Sequence, residues 1–169
     1  YGLKLYETPV GFNHIADYML QEDVLIGGEE AGGISFKGHI PVGDGPIMGL
    51  LLVEMIAQSE KTLHGMVEEL LADVGPAYYE RTDLRLSRPV AKKEMTEFLT
   101  NQAPTEIGGE QVAEVRQRDG VKYIMADDSW LLIRPSGTEP VLRVYAEGRT
   151  QAMVKSLLGY GEQVAKSVV

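Results

Sequence analysis

The sequence contains no cysteine, and that absence excludes two kinds of site at once. Without thiols the chain can form neither disulfides nor thiolate metal sites, and the lack of them is typical of a cytoplasmic protein, which is the location we expect. Basic residues are also scarce, since 16 Lys and Arg stand against 25 Asp and Glu, for a formal net charge of −9. Broad nucleic-acid binding needs a basic stripe, so we expect no nucleic-acid partner.

Long apolar runs are missing as well. None approaches the roughly 18 residues that a membrane-spanning helix needs, and the first residues, "YGLKLYETPVG", lack the pattern of a signal peptide. We therefore expect no membrane partner. The chain does not begin with Met, which suggests a piece of a longer protein. Its 169 residues, 44% of them hydrophobic, suffice for one domain or two small ones.

The first half of the chain alternates strand and helix patterns. "LKLYET" predicts a short strand, a helix follows, and the apolar run "DVLIGG" predicts a buried parallel strand. Asp44 is placed to cap the apolar helix "IMGLLLVEMIAQ", and a further helix ends at Gly75–Pro76. This β-α-β-α order predicts a partial parallel-sheet α/β layer domain over residues 1–76.

The second half has a different pattern. A short helix, "PVAKKEMTEFLTNQ", precedes four strand patterns separated by turns, one of them the strong hairpin signal Asp119–Gly120, and a last amphipathic helix follows. These elements predict a small α+β domain over residues 84–169, with an antiparallel sheet backed by helices. We place the linker near residues 75–83.

The stretch "RPSGTEPVLR", residues 134–143, combines groups that bind anions. Arg134 ends one predicted strand and Arg143 lies in the next, so their guanidinium groups converge if the strands pair. Ser136 and Thr138 offer hydroxyls, and Gly137 allows backbone N–H groups to face a common point. The alternative is an ordinary hairpin loop with solvated arginines. The residues alone leave both interpretations open.

The stretch "GGEEAGG" carries Glu29 and Glu30 between glycine pairs, at the end of an apolar strand. Ligands enter open α/β sheets at that end, and carboxylates accept hydrogen bonds from sugar hydroxyls. A solvated surface loop is the simpler interpretation. A metal site that also used His39 and Asp44 would match no regular ligand spacing, so we predict no metal ligands in this chain.

Four stretches together resemble one family. "TPVGFNHI", "GGEEAGGISFKGHIPVGDGPIMGLLLVEMIA", "YYERTDLRL" and "WLLIRPSGTEPVLRVYAE" are similar, in this order, to the phosphoglucomutase/phosphomannomutase family, the α-D-phosphohexomutases. Members have four domains, and the chain resembles the later part of domain 3 and all of domain 4. The resemblance implies that the missing N-terminal domains of the same protein are its partners and that a sugar phosphate is the substrate.

The resemblance also implies a reaction. Family enzymes interconvert hexose 1-phosphate and hexose 6-phosphate through a phosphoserine in domain 1, a bisphosphate intermediate and a Mg²⁺ ion in domain 2. The nucleophile and the metal would then lie outside this chain, which alone is expected to be inactive. Carried over by position, the sugar-binding residues are Glu29 and Glu30, and the phosphate-binding residues are Arg134, Ser136, Gly137, Thr138 and Arg143.

Two positions depart from the family pattern. Ala31 stands where the sugar loop usually has serine, and Asn13 where relatives often have lysine. These losses keep a second hypothesis open, a non-catalytic sugar-phosphate-binding module or degenerate paralogue. A chain that starts within domain 3 would also expose a sheet edge and an apolar face, so association through that domain is expected.

Overall fold

The computed structural model describes residues 2–30, 32–87, 89–136 and 139–167. The chain divides into two compact units, Tyr1–Glu69 and Leu70–Val169. The domain limits predicted above, 1–76 and 84–169, remain a prediction, but the predicted linker overlaps a strand of the second unit, Tyr78–Arg85. That stretch is extended because it completes a sheet, not because it connects two domains.

The first unit is built from two short strands and three helices. They are α1 (Phe12–Gln21), β1 (Ile26–Gly28), β2 (Ile34–Phe36), α2 (Gly45–Ser59) and α3 (Leu63–Val74), whose last turns belong to the second unit. Asp44 caps α2 as predicted, because its Oδ1 accepts a hydrogen bond from the Ile47 N–H at 3.1 Å. The predicted end of α3 at Gly75 is confirmed as well.

The direction of β1 was predicted wrongly. It pairs antiparallel with β2, with Gly28 opposite Ile34, and not as a parallel strand. Between the strands, the Glu29 N–H donates to the Gly33 carbonyl at 2.9 Å. A parallel partner would need a crossover of about a dozen residues or more, so this short acidic connection forces a hairpin.

The strand predicted for "LKLYET" is not formed either. Residues 3–8 have no regular structure, and Tyr6 contacts helix α1 instead. Its ring lies 4.9 Å from the ring of Tyr18, and its hydroxyl donates to Glu22 Oε2 at 3.1 Å. Alternation of apolar side chains predicts a strand only where a neighbouring strand is available to pair with it.

Helix α2 presents apolar side chains to solvent. None of its residues is buried, and Leu50 and Val53 are 70% and 64% exposed. A helix that is apolar on all sides normally lies within a core or an interface, so the expected exposed apolar surface is present in this unit. Among the described residues, none of the helices combines the length and apolar character required to cross a membrane.

The second unit is a six-stranded antiparallel sheet with two helices on one face. The strands, in spatial order, are β3 (Tyr78–Arg85), β8 (Val141–Gly148), β7 (Trp130–Pro135), β6 (Val121–Met125), β5 (Glu110–Arg116) and β4 (Glu106–Ile107). The helices are α4 (Lys92–Asn101) and α5 (Gln151–Ser167). The predicted class, an α/β unit followed by an antiparallel α+β domain, is confirmed, with the strand direction in the first unit corrected.

Alternation along the strands separates a buried face from a polar one. The core includes alternate strand residues and one face of each helix: Met95, Leu99, Val121, Tyr123, Met125, Leu131, Ile133, Leu142, Val144, Ala146, Val154, Leu157 and Val164. The side chains between them, Arg134 and Arg143 included, therefore point to the opposite face of the sheet. The predicted division of β7 and β8 into two faces is confirmed.

Tyr123 supports helix α4 from inside this core. Its fully buried hydroxyl donates to the Leu99 carbonyl at 2.8 Å, one of the last carbonyls of α4 that lack a partner within the helix. Burial, reinforced by the neighbouring Tyr160 hydroxyl, raises the pKa of Tyr123 above the ordinary value for tyrosine. The folded state therefore holds this phenol neutral at pH values where the unfolded chain ionises it.

We expect Tyr123→Phe to lower the free energy of unfolding by about 1–3 kcal/mol at pH 8, because the buried Leu99 carbonyl loses its donor. In the parent chain, stability is expected to fall as the pH rises above about 10, since only the unfolded state loses the Tyr123 proton there. The variant should show a shallower fall. Urea unfolding followed by fluorescence of Trp130, the single tryptophan, measures both, and exposed Tyr78→Phe is the control. An equal fall in variant and parent would contradict this account.

Candidate functional site

Two arginines lie directly opposite each other at the end of the β7–β8 hairpin. The register pairs Arg134 with Arg143, so both side chains extend from the polar face of the sheet as direct neighbours. Like charges in directly opposed positions destabilise a sheet. The sequence predicts that these two guanidinium groups converge if the strands pair. The register shows that the strands do pair, with the two arginines in opposed positions. Arg134 and Arg143 are called the arginine pair below.

Asp119 lies next to Arg134. Arg134 Nε is 2.9 Å from Asp119 Oδ2, and these side chains are only 19% and 11% exposed. Within the described residues, the Arg134 Nε–H has no hydrogen-bond partner. Its contact with Asp119 is therefore an ion pair and not a hydrogen bond. Lys92 Nζ, at the start of α4, contacts the other oxygen of Asp119. One carboxylate is therefore shared between two cations.

Asp83 has the corresponding place beside Arg143. It faces Arg143 across β3 and β8, with Asp83 Oδ2 3.9 Å from Arg143 Nε. Arg81 donates to both oxygens of Asp83, from Nε at 3.0 Å and from Nη2 at 3.1 Å. The Arg81 hydrogen bonds, with smaller contributions from the charges of Arg81 and Arg143, lower the pKa of Asp83. Each arginine of the pair thus has a carboxylate beside its Nε.

The loop between β7 and β8 begins beside the arginine pair. The Ser136 N–H donates to the Val141 carbonyl at 2.8 Å, which fixes the start of the loop against the start of β8. Ser136 therefore lies two residues from Arg134 along the chain, at the end of the same hairpin. Gly137 and Thr138, also predicted to bind phosphate, lie outside the described residues.

Gly120 allows the β5–β6 turn to approach Arg134 closely. Its φ is +89°, and a Cβ at this position would lie 2.4 Å from the Ile133 carbonyl oxygen and 3.0 Å from Arg134 Cα. Only glycine fits this backbone conformation and this spacing. The turn that carries Asp119 is therefore held directly against the backbone of Arg134.

The acidic connection, residues 29–33, belongs to the first unit. Glu29 is half-buried, and its Oε1 and Cγ lie 3.0 and 3.2 Å from the point that a Cβ on Gly33 would occupy. Phe12, from the start of α1, approaches the same point at 3.2 Å. Within the described residues the Glu29 carboxylate has no hydrogen bond or ion pair, whereas Glu30 is exposed.

His39 and Asp44, considered above as metal ligands, contact each other. His39 Nε2 lies 3.1 Å from Asp44 Oδ2, and the imidazole stacks on Phe36 with ring centres 5.6 Å apart. Since the other oxygen of Asp44 caps α2, this pair connects the end of β2 to the start of that helix. The contacts indicate a structural role for both side chains.

The residues that sequence reasoning missed are the partners of the arginine pair. Asp119 belongs to a turn that is recognisable in the sequence, but nothing in the sequence indicates contact with Arg134. Lys92 is 27 residues from Asp119, and Asp83 lies within the stretch predicted as linker. Only the strand order brings these charges together.

Two parts of the chain match two domain models of one known family. Residues 1–74 match the family model described as phosphoglucomutase/phosphomannomutase, alpha/beta/alpha domain III, and residues 90–159 match the model of the C-terminal domain of that family. A crystal structure of a phosphoglucomutase/phosphomannomutase family protein from Burkholderia thailandensis superposes with a TM-score of 0.69 at 20% identity. The superposition covers 95% of this chain and 32% of the Burkholderia chain. This likeness concerns the fold alone.

Curated relatives match over nearly the whole chain. A phosphoglucosamine mutase of Limosilactobacillus fermentum is 33% identical over 100% of the chain. A phosphoglucomutase/phosphomannomutase of Thermococcus kodakarensis is 30% identical over 95% of it, and a phosphoglucomutase of Komagataeibacter xylinus 33% identical over 92%. The chain spans 33%, 32% and 30% of the length of these relatives. It belongs to the phosphoglucomutase/phosphomannomutase family and corresponds to the C-terminal part of its members.

Proposed function

We propose that this chain is the C-terminal part of a phosphohexomutase and binds the sugar phosphate on which the complete enzyme acts. The observation that carries the proposal is the arginine pair, two cations held side by side at the end of a hairpin. In a family that transfers phosphoryl groups, a phosphate of the substrate is a suitable ligand for such a pair, because arginine side chains match phosphate oxygens in a bidentate manner.

In this proposal, Arg134 and Arg143 bind the phosphate group that is not reacting. Ser136, Gly137 and Thr138 add hydroxyl and backbone donors from the loop that starts beside them. A site of this kind holds the phosphate in the ground state and in the transition state alike, so its loss should raise KM more than it lowers kcat.

Glu29, with Glu30 beside it, binds sugar hydroxyls in the same proposal. The half-buried Glu29 carboxylate has unused acceptor capacity, and a charged acceptor of this kind contributes about 1.5–3 kcal/mol to a hydrogen bond. Ala31, which lies outside the described residues, removes one hydroxyl from this loop relative to the usual family sequence.

We expect Glu29→Gln to raise KM for the sugar phosphate about tenfold in the full-length enzyme, since the amide accepts sugar hydroxyls less strongly at nearly the same volume. Glu30→Gln is the matched control, because the exposed Glu30 should contribute less. Initial rates over a range of substrate concentrations give both values. Equal effects of the two substitutions would remove the distinction drawn here between the glutamates.

In this proposal, the groups that carry out the phosphoryl transfer lie outside this chain. A phosphoserine outside this chain would donate its phosphoryl group to the sugar monophosphate, and the serine left behind would accept the other phosphoryl group from the resulting bisphosphate. A Mg²⁺ ion, also held outside this chain, would supply positive charge that stabilises the transferring group. No group of three or more His, Asp or Glu side chains able to hold a metal occurs in the described parts of the chain. The proposal assigns no metal-dependent step to these residues, and the inactivity of the chain alone remains a prediction.

The direct test is a mutase assay of the full-length protein. Glucose, mannose and glucosamine 1-phosphates are supplied separately, and the corresponding 6-phosphates are measured. We expect conversion of at least one of them. Binding of these compounds without conversion of any would favour the non-catalytic binding module that Ala31 and Asn13 keep open.

A further inference from the structure

We propose that Asp119 is a positioning residue for Arg134, and that Lys92 keeps its carboxylate from weakening phosphate binding. The inference rests on the proposed function, since it concerns how the arginine pair is prepared for its ligand. It assigns roles to two side chains that do not need to touch the substrate.

Asp119 contacts the guanidinium group of Arg134 at one end only. Asp119 Oδ2 lies 2.9 Å from Nε, the nitrogen next to the aliphatic part of the side chain. The terminal nitrogens, which form the fork that matches a phosphate, are not needed for this contact. Since Gly120 holds the turn against the Arg134 backbone, the carboxylate is fixed in place by the main chain.

A carboxylate beside a phosphate site carries an electrostatic cost, because it repels the ligand. Lys92 offsets this cost by contacting the other oxygen of Asp119, so that the three side chains together keep a charge of +1. A lysine in the first turn of a helix is itself unfavourable, since the helix dipole is positive there. The position of Lys92 is therefore explained by Asp119 better than by the helix.

Arg143 has a weaker version of the same arrangement. Asp83 is shared between Arg143 and Arg81, but its distance to Arg143 Nε is 3.9 Å, against 2.9 Å for the pair of Asp119 with Arg134. The more exposed Asp83 should therefore orient its arginine less firmly. This difference within one site provides an internal comparison for the test.

A positioning role and simple electrostatic repulsion predict opposite changes in KM for Asp119→Asn. If Asp119 only repels the phosphate, Asp119→Asn should lower KM, whereas loss of positioning should raise it. In the full-length enzyme we expect KM for the sugar phosphate to rise about tenfold in Asp119→Asn and about threefold in Asp83→Asn and in Lys92→Met, with kcat changed less than twofold. An unchanged or lowered KM in Asp119→Asn would overturn the proposal.

A double-mutant cycle separates positioning from a general structural effect. We expect Asp119→Asn to cause no further rise in KM when Arg134 is already alanine, because there is no guanidinium group left to orient. A tenfold rise that persists in the Arg134→Ala background would overturn the positioning role. Lys92→Met, at a half-exposed side chain, tests the same three-residue arrangement without changing the turn.

The same variants distinguish this inference from the proposed function. If Arg134→Ala leaves KM unchanged, the phosphate site itself is assigned wrongly. If Arg134→Ala raises KM but Asp119→Asn does not, the phosphate site stands and only the role of Asp119 fails.

Discussion

Arg134→Ala is expected to raise KM for the sugar phosphate about 100-fold in the full-length enzyme, with a smaller fall in kcat. In the proposed site the substitution would remove a bidentate contact, and two charge-assisted hydrogen bonds at about 1.5 kcal/mol each amount to about two powers of ten in affinity. Arg134 is suited to such a contact because it is held beside Arg143 by the strand register and beside Asp119 by the β5–β6 turn.

Two further variants show whether the effect belongs to the site. Arg134→Lys keeps the charge but loses the planar fork, so we expect an intermediate rise in KM of about tenfold. Arg149→Ala is the matched control, since this exposed arginine follows the opposite end of β8 from Arg143. Steady-state kinetics measure all three. A lysine variant as active as the parent would argue against bidentate binding, although not against a role for the charge.

Gly120→Ala is expected to destabilise the second unit by about 2–5 kcal/mol. A side chain at φ +89° costs about 1–2 kcal/mol, and the Cβ would also lie 2.4 Å from the Ile133 carbonyl oxygen, so the backbone must move. The movement would displace the turn that carries Asp119 from Arg134. We therefore expect weaker binding of the sugar phosphate as well as lower stability.

Gly109→Ala is the control that isolates the close contact. Gly109 has nearly the same φ, +92°, but no heavy atom lies within 4 Å of a Cβ built on it. Its substitution should cost only the conformational part, about 1–2 kcal/mol, and leave KM unchanged. Urea unfolding followed by Trp130 fluorescence compares the two variants. Equal losses of stability would mean that the approach of Gly120 to β7 is not tight in solution.

The fold of the second unit was largely predictable because its signals are local. Alternation in "WLLIR" and "VLRVYAEG", the Asp-Gly turn and the helical spacing of α5 each act over a few residues. The short strand β4 was missed, and the extended stretch of the edge strand β3 was assigned in part to the linker, since β3 has many charges and its pairing partner lies about 60 residues further along the chain. Edge pairing of this kind depends on the whole sheet, which local patterns do not describe.

In the first unit, a local pattern predicted the wrong strand direction. "DVLIGG" has the apolar composition of a buried parallel strand, but the connection after it is so short that the chain turns back at once. Glu29 and Arg134 were both identified as candidate site residues from local composition. The contacts of Asp119, Lys92 and Asp83 with the arginine pair could not be, because they join separate segments through the strand order.

The central claim is that the arginine pair binds a phosphate group, and NMR titration of this chain with glucose 1-phosphate tests it most directly. The Nε–H signals of Arg134 and Arg143 are suitable probes because both nitrogens are buried, and Arg149 serves as reference. The account predicts saturable shifts of the two buried signals, a weaker shift of the Arg143 signal in Arg134→Lys, and the same shifts with inorganic phosphate only at higher concentration. Saturable binding that leaves both signals unchanged would contradict it.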